Sequence, residues 1–246
     1  MMNFMPMELV TQIKKFVARC LSFFGISVTS TRNLQKTKEL ANPSVTNLLT
    51  RYKVPCKSVL HIGGHYGEEA QEYFEFGVDE AVFIEGDTDS FAQLQVNISK
   101  FQNFRAIETY ISDTSGEAEF YRASNSGASS SLLKPGRHSK ERPDITFSEG
   151  IRVKTKTLDS LNLGKFDLVV IDVQGAELQV LSGGHKTILS ASAIWIEVNS
   201  GGMYASDAGV NEILATLQKT HAPLYLNMNE NYWGDALFLK KDLLPE

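Results

Sequence analysis

The sequence predicts an α/β protein with a mostly parallel sheet covered by helices on both faces. The first observation is the stretch 58–67, SVLHIGGHYG, in which a short apolar run ends in glycines. A segment with helical spacing of apolar residues follows at 68–76, and this order of strand, glycine turn and helix is typical of a nucleotide-binding unit. The second observation is that apolar strands alternate with helices along the remaining chain, which favours a parallel sheet. The third is that only residues 229–234 separate the last two strands, so we expect an antiparallel hairpin there.

The predicted elements follow this first unit in chain order. We predict strands over 81–85, 104–111, 116–121, 151–157, 166–171, 193–198, 224–228 and 235–239. Helices are predicted over 88–98, 176–189 and 210–220, with Asp87 or Thr88 as the cap of the first. Residues 123–150 are rich in Ser, Gly, Pro and charge, which is typical of a long loop or insertion. We therefore divide the chain into a helical N-terminal segment, 1–54, and one α/β domain, 55–246, with an insertion at about 114–157.

Composition and charge argue against several classes of protein. The chain has 246 residues, enough for one substantial core, and a net charge of −5, which gives no long-range attraction for nucleic acid. Its two cysteines, Cys20 and Cys56, form neither a disulfide framework nor a metal-ligand pattern. No apolar run reaches the roughly 20 residues that a membrane-spanning helix needs. We expect a cytoplasmic protein without a metal site.

The N-terminal segment has the pattern of a basic amphipathic helix. Apolar residues recur at helical spacing over 8–24, and Lys14, Lys15 and Arg19 lie on or near the other side. No compact apolar core with a small-residue cleavage site is present, so a signal peptide is not expected. Packing on the domain, dimerisation, and peripheral contact with the inner face of the membrane all fit this pattern.

Polar residues and glycines follow the predicted strands at their carboxyl ends, where ligands bind in open parallel sheets. They are Gly63, Gly64, His65, Glu85, Ser112, Asp113, Asp172 and Glu197. Each alone fits a cap or a turn, but together they fit a site better. Glu85 lies eighteen positions beyond Gly67, about the separation at which an acid in these folds binds a ribose hydroxyl pair.

An acid that binds ribose fits two cofactors, a nicotinamide dinucleotide and S-adenosylmethionine, because both contain adenosine. The glycines form G-G-x-x-G, whereas a pyrophosphate is typically bound by G-x-G-x-x-G. The antiparallel end of the predicted sheet also favours S-adenosylmethionine. A nicotinamide-dependent oxidoreductase is therefore the weaker alternative, and the chain also lacks a Tyr-x-x-x-Lys pair at a fitting position.

Eight motifs occur in an order that resembles a known family. They are His61-Ile-Gly-Gly-His-Tyr-Gly67, Glu85, Ile111-Ser112-Asp113, Ser129-Ser130-Ser131-Leu132, Thr157-Leu158-Asp159, Ile171-Asp-Val-Gln-Gly-Ala-Glu177, Ile196-Glu197-Val198 and Asp235-Ala-Leu-Phe238. Over residues 57–240 this order resembles the FkbM-type methyltransferases. The most specific motif, at 172–178, is similar to the family's D-x-E-G-x-E-x signature. The resemblance implies a Rossmann-like class I methyltransferase fold with strand order 3-2-1-4-5-7-6. It also implies S-adenosylmethionine-dependent methylation of a hydroxyl on a sugar, a glycan or a small natural product.

The resemblance also implies roles for individual residues in holding the cofactor. Three glycines shape the loop around the methionine portion, Glu85 binds the ribose, and two residues after the third strand border the adenine. The full cofactor set is His61, Gly63, Gly64, Gly67, Glu85, Ser112, Asp113 and Asp172.

For catalysis, the resemblance implies a group that removes the proton from the acceptor hydroxyl. Asp172, at the end of the fourth strand of the fold, is the first candidate, Glu197 the second and His65 the third. Glu177 is interpreted as structural, in the first turn of its helix. The serines Ser129, Ser130 and Ser131 are expected to touch the acceptor or close over the site, and a polar loop is the alternative for them.

Two positions depart from the family pattern. His61 stands where the first motif usually has an acid that helps to hold the positively charged end of the cofactor, so a lower affinity for the cofactor is expected. Gln174 stands where the signature usually has Glu, so any proton-accepting role at that position is lost. These departures motivate a second hypothesis, a catalytically weakened protein that binds S-adenosylmethionine without turnover.

Overall fold

The structure, a computed structural model, describes residues 43–229 and 233–244. It begins with helix α1 (Val45–Tyr52), which Ser44 caps by accepting a hydrogen bond from the backbone N–H of Asn47. The amphipathic helix predicted over 8–24 lies outside the described residues. No helix within 43–229 and 233–244 is both long enough and apolar enough to cross a membrane.

A seven-stranded sheet forms the centre of the domain. Its order is β3 (Phe104–Glu108), β2 (Glu80–Glu85), β1 (Ser58–Ile62), β7 (Leu168–Ile171), β8 (Ala193–Asn199), β10 (Trp233–Lys240) and β9 (His221–Met228). Strand β10 is antiparallel to both of its neighbours, while the pairs from β3 to β8 are parallel. The predicted fold class, strand order and C-terminal hairpin are therefore confirmed.

The central strands are apolar because the sheet is covered on both sides. All four residues of β7 are buried, and successive side chains of a strand point to opposite faces. Leu60, Val169 and Ile196 belong to one buried apolar cluster that runs across the sheet. The strands are linked by α2 (Ala70–Phe76), α3 (Thr88–Ile98), α5 (Glu177–Gly183), α6 (His185–Ser190) and α7 (Val210–Leu217). This packing fixes the strand ends that carry the predicted site.

The insertion forms a small sheet of its own. Strand β6 (Ile151–Lys156) lies between β4 (Tyr110–Ile111), to which it is parallel, and β5 (Gly116–Phe120), to which it is antiparallel. The segment between β5 and β6 contains a short helix, α4 (His138–Glu141), and three isolated bridges. One bridge joins Pro135 to Tyr204 in the loop after β8. The insertion is thus connected to the carboxyl end of the main sheet.

Two predicted elements are wrong in their bounds. The strand predicted over 104–111 divides at Thr109, whose N–H donates to the carbonyl of Glu85, and the chain then joins the small sheet. The helix predicted over 176–189 breaks at Gly184, where a Cβ atom would lie 2.7 Å from side-chain carbons of Leu158 and Ile188. The new helix α6 is held by Asp159, which accepts backbone N–H groups of its first turn.

Candidate active site

A cavity of about 360 Å³ lies at the carboxyl ends of β1, β2 and β7. This is the edge at which an open parallel sheet binds ligands. Predicted site residues that line it are His61, Gly63, Gly64, His65, Glu85, Ser130, Ser131 and Asp172. Five other predicted residues, Gly67, Ser112, Asp113, Ser129 and Glu197, do not line it.

The glycine loop is fixed by contacts that leave no room for side chains. Gly63 has a φ of 84°, and a Cβ atom there would lie 1.7 Å from the carbonyl oxygen of Asp172. Its N–H and that of Gly64 donate to the carbonyl of Ile84 at 2.9 and 3.0 Å. Gly67, with a φ of 75°, lies beneath the loop, where a Cβ atom would be 2.7 Å from Leu94. The loop is therefore tied to β2 and β7, with its backbone at the cavity wall.

Glu85 ends β2 with its carboxylate held from two sides. Its Oε2 accepts the backbone N–H of His65 at 2.9 Å, and its Oε1 accepts that of Asp87 at 2.8 Å. Burial nevertheless raises its pKa above the ordinary range. Each oxygen keeps a lone pair beyond these bonds, so the carboxylate can still accept two hydroxyl groups.

His65 connects the glycine loop to the insertion. Its Nδ1 lies 2.8 Å from Oε1 of Glu68 and its Nε2 lies 2.9 Å from the carbonyl oxygen of Ser126. Both partners are acceptors, so both ring nitrogens carry protons. Burial lowers the pKa of His65, but the bonds to the Ser126 carbonyl and to Glu68 outweigh it, and the net shift is upward. Neither nitrogen is free to take a proton from an acceptor.

His61 is buried beneath the loop and is neutral. Its Nδ1 lies 3.0 Å from the hydroxyl oxygen of Tyr73, and its ring stacks on Phe83 with 5.5 Å between centroids. Burial lowers its pKa to about 4, so it brings no positive charge to the cavity at neutral pH.

Three acids form a row across neighbouring strands at this edge. Ile171 on β7 pairs with Ile196 on β8. The next residue along the chain is an acid in both cases, Asp172 after Ile171 and Glu197 after Ile196. Glu197 in turn pairs with Asp235 on β10. Of the three, only Asp172 lines the cavity, where water reaches it.

The carboxyl groups of this row are bridged by an amide and an indole. Nε2 of Gln174 donates to Oδ1 of Asp172 at 2.7 Å and to Oε2 of Glu197 at 2.9 Å. The indole N–H of Trp233 donates to Oε1 of Glu197 at 2.5 Å. Gln174 adopts a φ of 55°, which brings its side chain between the two acids.

The pKa of every acid in the row is raised. Burial, then the charge of Asp172, raises the pKa of Glu197 well above its usual range. The same two causes raise the pKa of Asp235 to about 6, whereas that of Asp172 is raised by partial desolvation in the cavity and by the charge of Glu69. The carboxyl groups of Asp172 and Glu197 are coupled, so ionisation of one disfavours ionisation of the other. Of the two, Asp172 is the group that faces the cavity.

The remaining predicted residues are held by local contacts. The three serine hydroxyls accept bonds inside their own loop, from Asn125, Ala123 and Leu133. Ser129 turns its carbonyl to the hydroxyl of Tyr204 at 2.8 Å, whereas Ser130 and Ser131 face the cavity and keep a hydroxyl proton to donate. Ser112 and Asp113 lie outside the wall because the chain has left the main sheet, and the Ser112 N–H donates to the carbonyl of Lys156.

The sequence of this domain matches one protein family over most of its length. The model of the methyltransferase FkbM domain matches residues 61–222, more than half of the chain. The chain belongs to the FkbM methyltransferase family. It is therefore a methyltransferase.

Two known proteins resemble this FkbM methyltransferase. The 2-O-methyltransferase NoeI of Sinorhizobium fredii is 28% identical over 174 residues, which are 66% of this chain and 72% of that protein. The crystal structure of methyltransferase FkbM from Methylobacillus flagellatus KT superposes with a TM-score of 0.51 at 12% identity. That comparison covers 82% of this chain and 49% of the crystal structure's chain, so the present chain spans about half the length of that protein. At this identity the superposition bears on the fold alone.

Several cavity residues of this FkbM methyltransferase are not among those predicted. Tyr110 and Phe120, with ring centroids 4.8 Å apart, form an aromatic wall, and Gly86 makes room for the ring of Tyr110. Glu69 also lines the cavity. Trp233, which contacts the acid row, could have been found in the sequence, since it lies two positions before Asp235 and shares its face of β10. Within residues 43–229 and 233–244, no group of three or more His, Cys, Asp or Glu is arranged to hold a metal ion.

Proposed function

We propose that this methyltransferase uses S-adenosylmethionine to methylate a hydroxyl of a sugar, a glycan or a small natural product. The observation that carries the proposal is the charge of the cavity. The residues of its wall that the structure describes include five acids, Glu68, Glu69, Glu85, Asp87 and Asp172, and no Lys or Arg. Such a wall favours a ligand with cationic groups.

This charge pattern separates the two adenosine cofactors considered from the sequence. S-adenosylmethionine has a positive sulfonium and a positive ammonium group, whereas a nicotinamide dinucleotide has a pyrophosphate with two negative charges. A pyrophosphate in this cavity would be repelled by the acids. The imidazolium of His65 would not offset this repulsion, because both of its N–H groups already bond within the protein. The acidic wall therefore disfavours the oxidoreductase alternative.

The residues of the cavity fit the parts of S-adenosylmethionine. Glu85 has free lone pairs for the two ribose hydroxyls. Tyr110 and Phe120 offer aromatic surface for the adenine, at the place for which Ser112 and Asp113 were predicted. When bound, S-adenosylmethionine supplies an electrophilic methyl group on a sulfonium, which is a good leaving group.

Asp172 is the group we assign to the acceptor hydroxyl. Gln174 fixes one carboxylate oxygen at 2.7 Å, which leaves Oδ2 to accept the hydroxyl proton. Glu197 is occupied on both oxygens and lies behind Gln174, so it supports Asp172 rather than replacing it. Positioning the acceptor oxygen in line with the methyl group and removing its proton are the protein's main tasks.

An oxygen acceptor is supported by the relative from Sinorhizobium fredii, whose name is that of a 2-O-methyltransferase. Ser130 and Ser131 line the cavity, and their hydroxyl protons can donate to oxygens of a polyhydroxylated acceptor. Both serines lie on the insertion, the part of the chain that builds the outer wall.

Calorimetry with S-adenosylmethionine and with NAD, followed by turnover measurements on sugar and glycan acceptors, tests this function. We expect binding of S-adenosylmethionine only, weakened in Glu85→Ala because the carboxylate for the ribose is lost. Absence of S-adenosylmethionine binding would refute the proposal. Binding without turnover on any hydroxyl acceptor would instead support the catalytically weakened protein.

We also propose that the amphipathic N-terminal segment brings the enzyme to the inner face of the membrane. The support is its sequence, with Lys14, Lys15 and Arg19 beside an apolar stripe. Cosedimentation with anionic liposomes should be strong for the full chain and weak after removal of the residues before Asn33. Equal cosedimentation of both forms would exclude this role and leave dimerisation or packing on the domain.

A further inference from the structure

Glu69 differs from the other acids of the cavity wall in its hydrogen bonding. Four of the five accept hydrogen bonds from other residues: Glu68 from Tyr66, Glu85 from His65 and Asp87, Asp87 from Asp89 and Arg122, and Asp172 from Gln174. Within residues 43–229 and 233–244, no other residue donates a hydrogen bond to the carboxylate of Glu69. Among the acids of the wall that the structure describes, it is the one whose carboxylate has no hydrogen-bond donor from another residue.

The nearest basic group does not compensate this charge either. Nδ1 of His61 lies 4.0 Å from Oε2 of Glu69. Because burial keeps His61 neutral, this contact is not an ion pair at neutral pH. Burial and the neighbouring acids Glu68 and Glu72 also raise the pKa of Glu69 itself. The Glu69 side chain is nevertheless 44% exposed, so a cation that enters the cavity can reach its carboxylate and pair with it.

The position of Glu69 identifies the part of the ligand that it would meet. Its carboxylate lies next to His61, and His61 lies on β1 two positions before Gly63, the first glycine of the loop. By the resemblance to the family, this loop surrounds the methionine portion of S-adenosylmethionine, and an acid at position 61 would hold its positively charged end. Here the acid is eight positions later in the sequence but within 4.0 Å of the His61 ring in space.

We propose that Glu69 binds the α-ammonium group of S-adenosylmethionine and replaces the acid that His61 has displaced. The inference rests on the proposed cofactor. It assigns a charge-assisted hydrogen bond from the ammonium group to the Glu69 carboxylate, with neutral His61 as the buried support beside it. The negative charge that the family has at position 61 is then supplied from position 69.

The test is calorimetry on the full chain, comparing Glu69→Gln with the wild type for three ligands. S-adenosylmethionine and S-adenosylhomocysteine carry the ammonium group, whereas 5′-methylthioadenosine lacks the whole amino-acid part. Gln keeps the shape of the side chain and removes its charge. We expect the Kd of both amino-acid ligands to rise roughly tenfold or more, with the Kd of 5′-methylthioadenosine unchanged. The matched control is Glu75→Gln, an exposed change at the other end of α2 that should leave all three affinities unchanged.

The outcomes separate this inference from the proposed function. If the wild type binds none of the three ligands, the proposed cofactor is wrong. If the wild type binds them and Glu69→Gln binds S-adenosylmethionine equally well, the cofactor stands and the role of Glu69 is overturned. An equal loss for all three ligands would also overturn it, because the effect would then not depend on the ammonium group.

Discussion

Replacing Asp172 by Asn is expected to make the enzyme inactive and more stable at the same time. The Asn side chain keeps an oxygen for the bond from Gln174, which is 2.7 Å long in the structure. It cannot take the proton of the acceptor, and loss of a general base typically lowers turnover by roughly 10²–10⁴-fold. Because Glu69 and Glu85 remain in the wall, S-adenosylmethionine affinity should change by less than about tenfold.

The gain in stability follows from the row of acids. Neighbouring strands are about 4.8 Å apart, and two unit charges at that distance repel by about 1 kcal/mol in water and about 3–4 kcal/mol at an effective dielectric constant of ~20. Cavity water reaches Asp172 and screens this repulsion, so the lower value applies. We expect the free energy of unfolding at pH 7 to rise by about 1 kcal/mol, which for a domain of this size is about 2–4 °C in Tm.

Turnover with a methyl-labelled cofactor, calorimetry and thermal unfolding at pH 7 measure these three effects on one preparation. Asp79→Asn is the matched control, since that acid is exposed and makes only a surface ion pair with Lys57. Retained turnover would place the base elsewhere. A variant less stable than the wild type would show that the acids of the row do not repel one another as argued.

Three further changes test other parts of the structure. Gly63→Ala should abolish cofactor binding and lower the unfolding midpoint, because its Cβ would lie 1.7 Å from a carbonyl oxygen, whereas Gly116→Ala, with nothing within 4 Å, should be neutral in both measurements. Burial raises the pKa of Glu177 to about 7, so the folded state binds its proton more tightly and stability should fall as pH rises from about 4.5 to 7. Denaturant titrations should show a smaller fall in Glu177→Gln, and an identical pH dependence would contradict this. Trp233→Phe leaves an oxygen of Glu197 without its donor and should cost roughly 1–3 kcal/mol in denaturant unfolding; an unchanged midpoint would mean that water replaces the indole N–H.

The main sheet could be predicted because its signals are local. Apolar runs, the glycines after β1 and the short connection before β10 each occupy a few neighbouring residues, and they predict the elements, the parallel sheet and the hairpin, while the strand order followed from the resemblance to the family. Glu85 and Asp172 were found in the same way, since each ends an apolar strand and the ends of parallel strands meet at one edge.

The rest of the site depends on contacts between residues distant in sequence. The bond from Trp233 to Glu197 joins residues 36 positions apart, so the alternation that places Trp233 on the face of Asp235 does not identify its partner. The contact between Tyr110 and Phe120 forms because the chain leaves the main sheet at Thr109. The sequence does not reveal this departure, since the apolar pattern continues through Thr109. Glu69 was missed for a related reason, because its importance depends on the neutral ring of His61 beside it.

The carbonyl oxygen of Ser126 has a consequence for the kinetics of the enzyme. It accepts hydrogen bonds from both His65 and Tyr66, so one oxygen atom joins the insertion to the glycine loop. We expect that separating the insertion from the loop breaks both bonds at once, which would couple ligand exchange to a small local opening. Deprotonated His65 keeps one proton for two acceptors, Glu68 and the Ser126 carbonyl, so its bond to Ser126 is weakened on average. Release of the used cofactor should therefore become faster as the pH rises through the raised pKa of this histidine, even where the chemical step does not change.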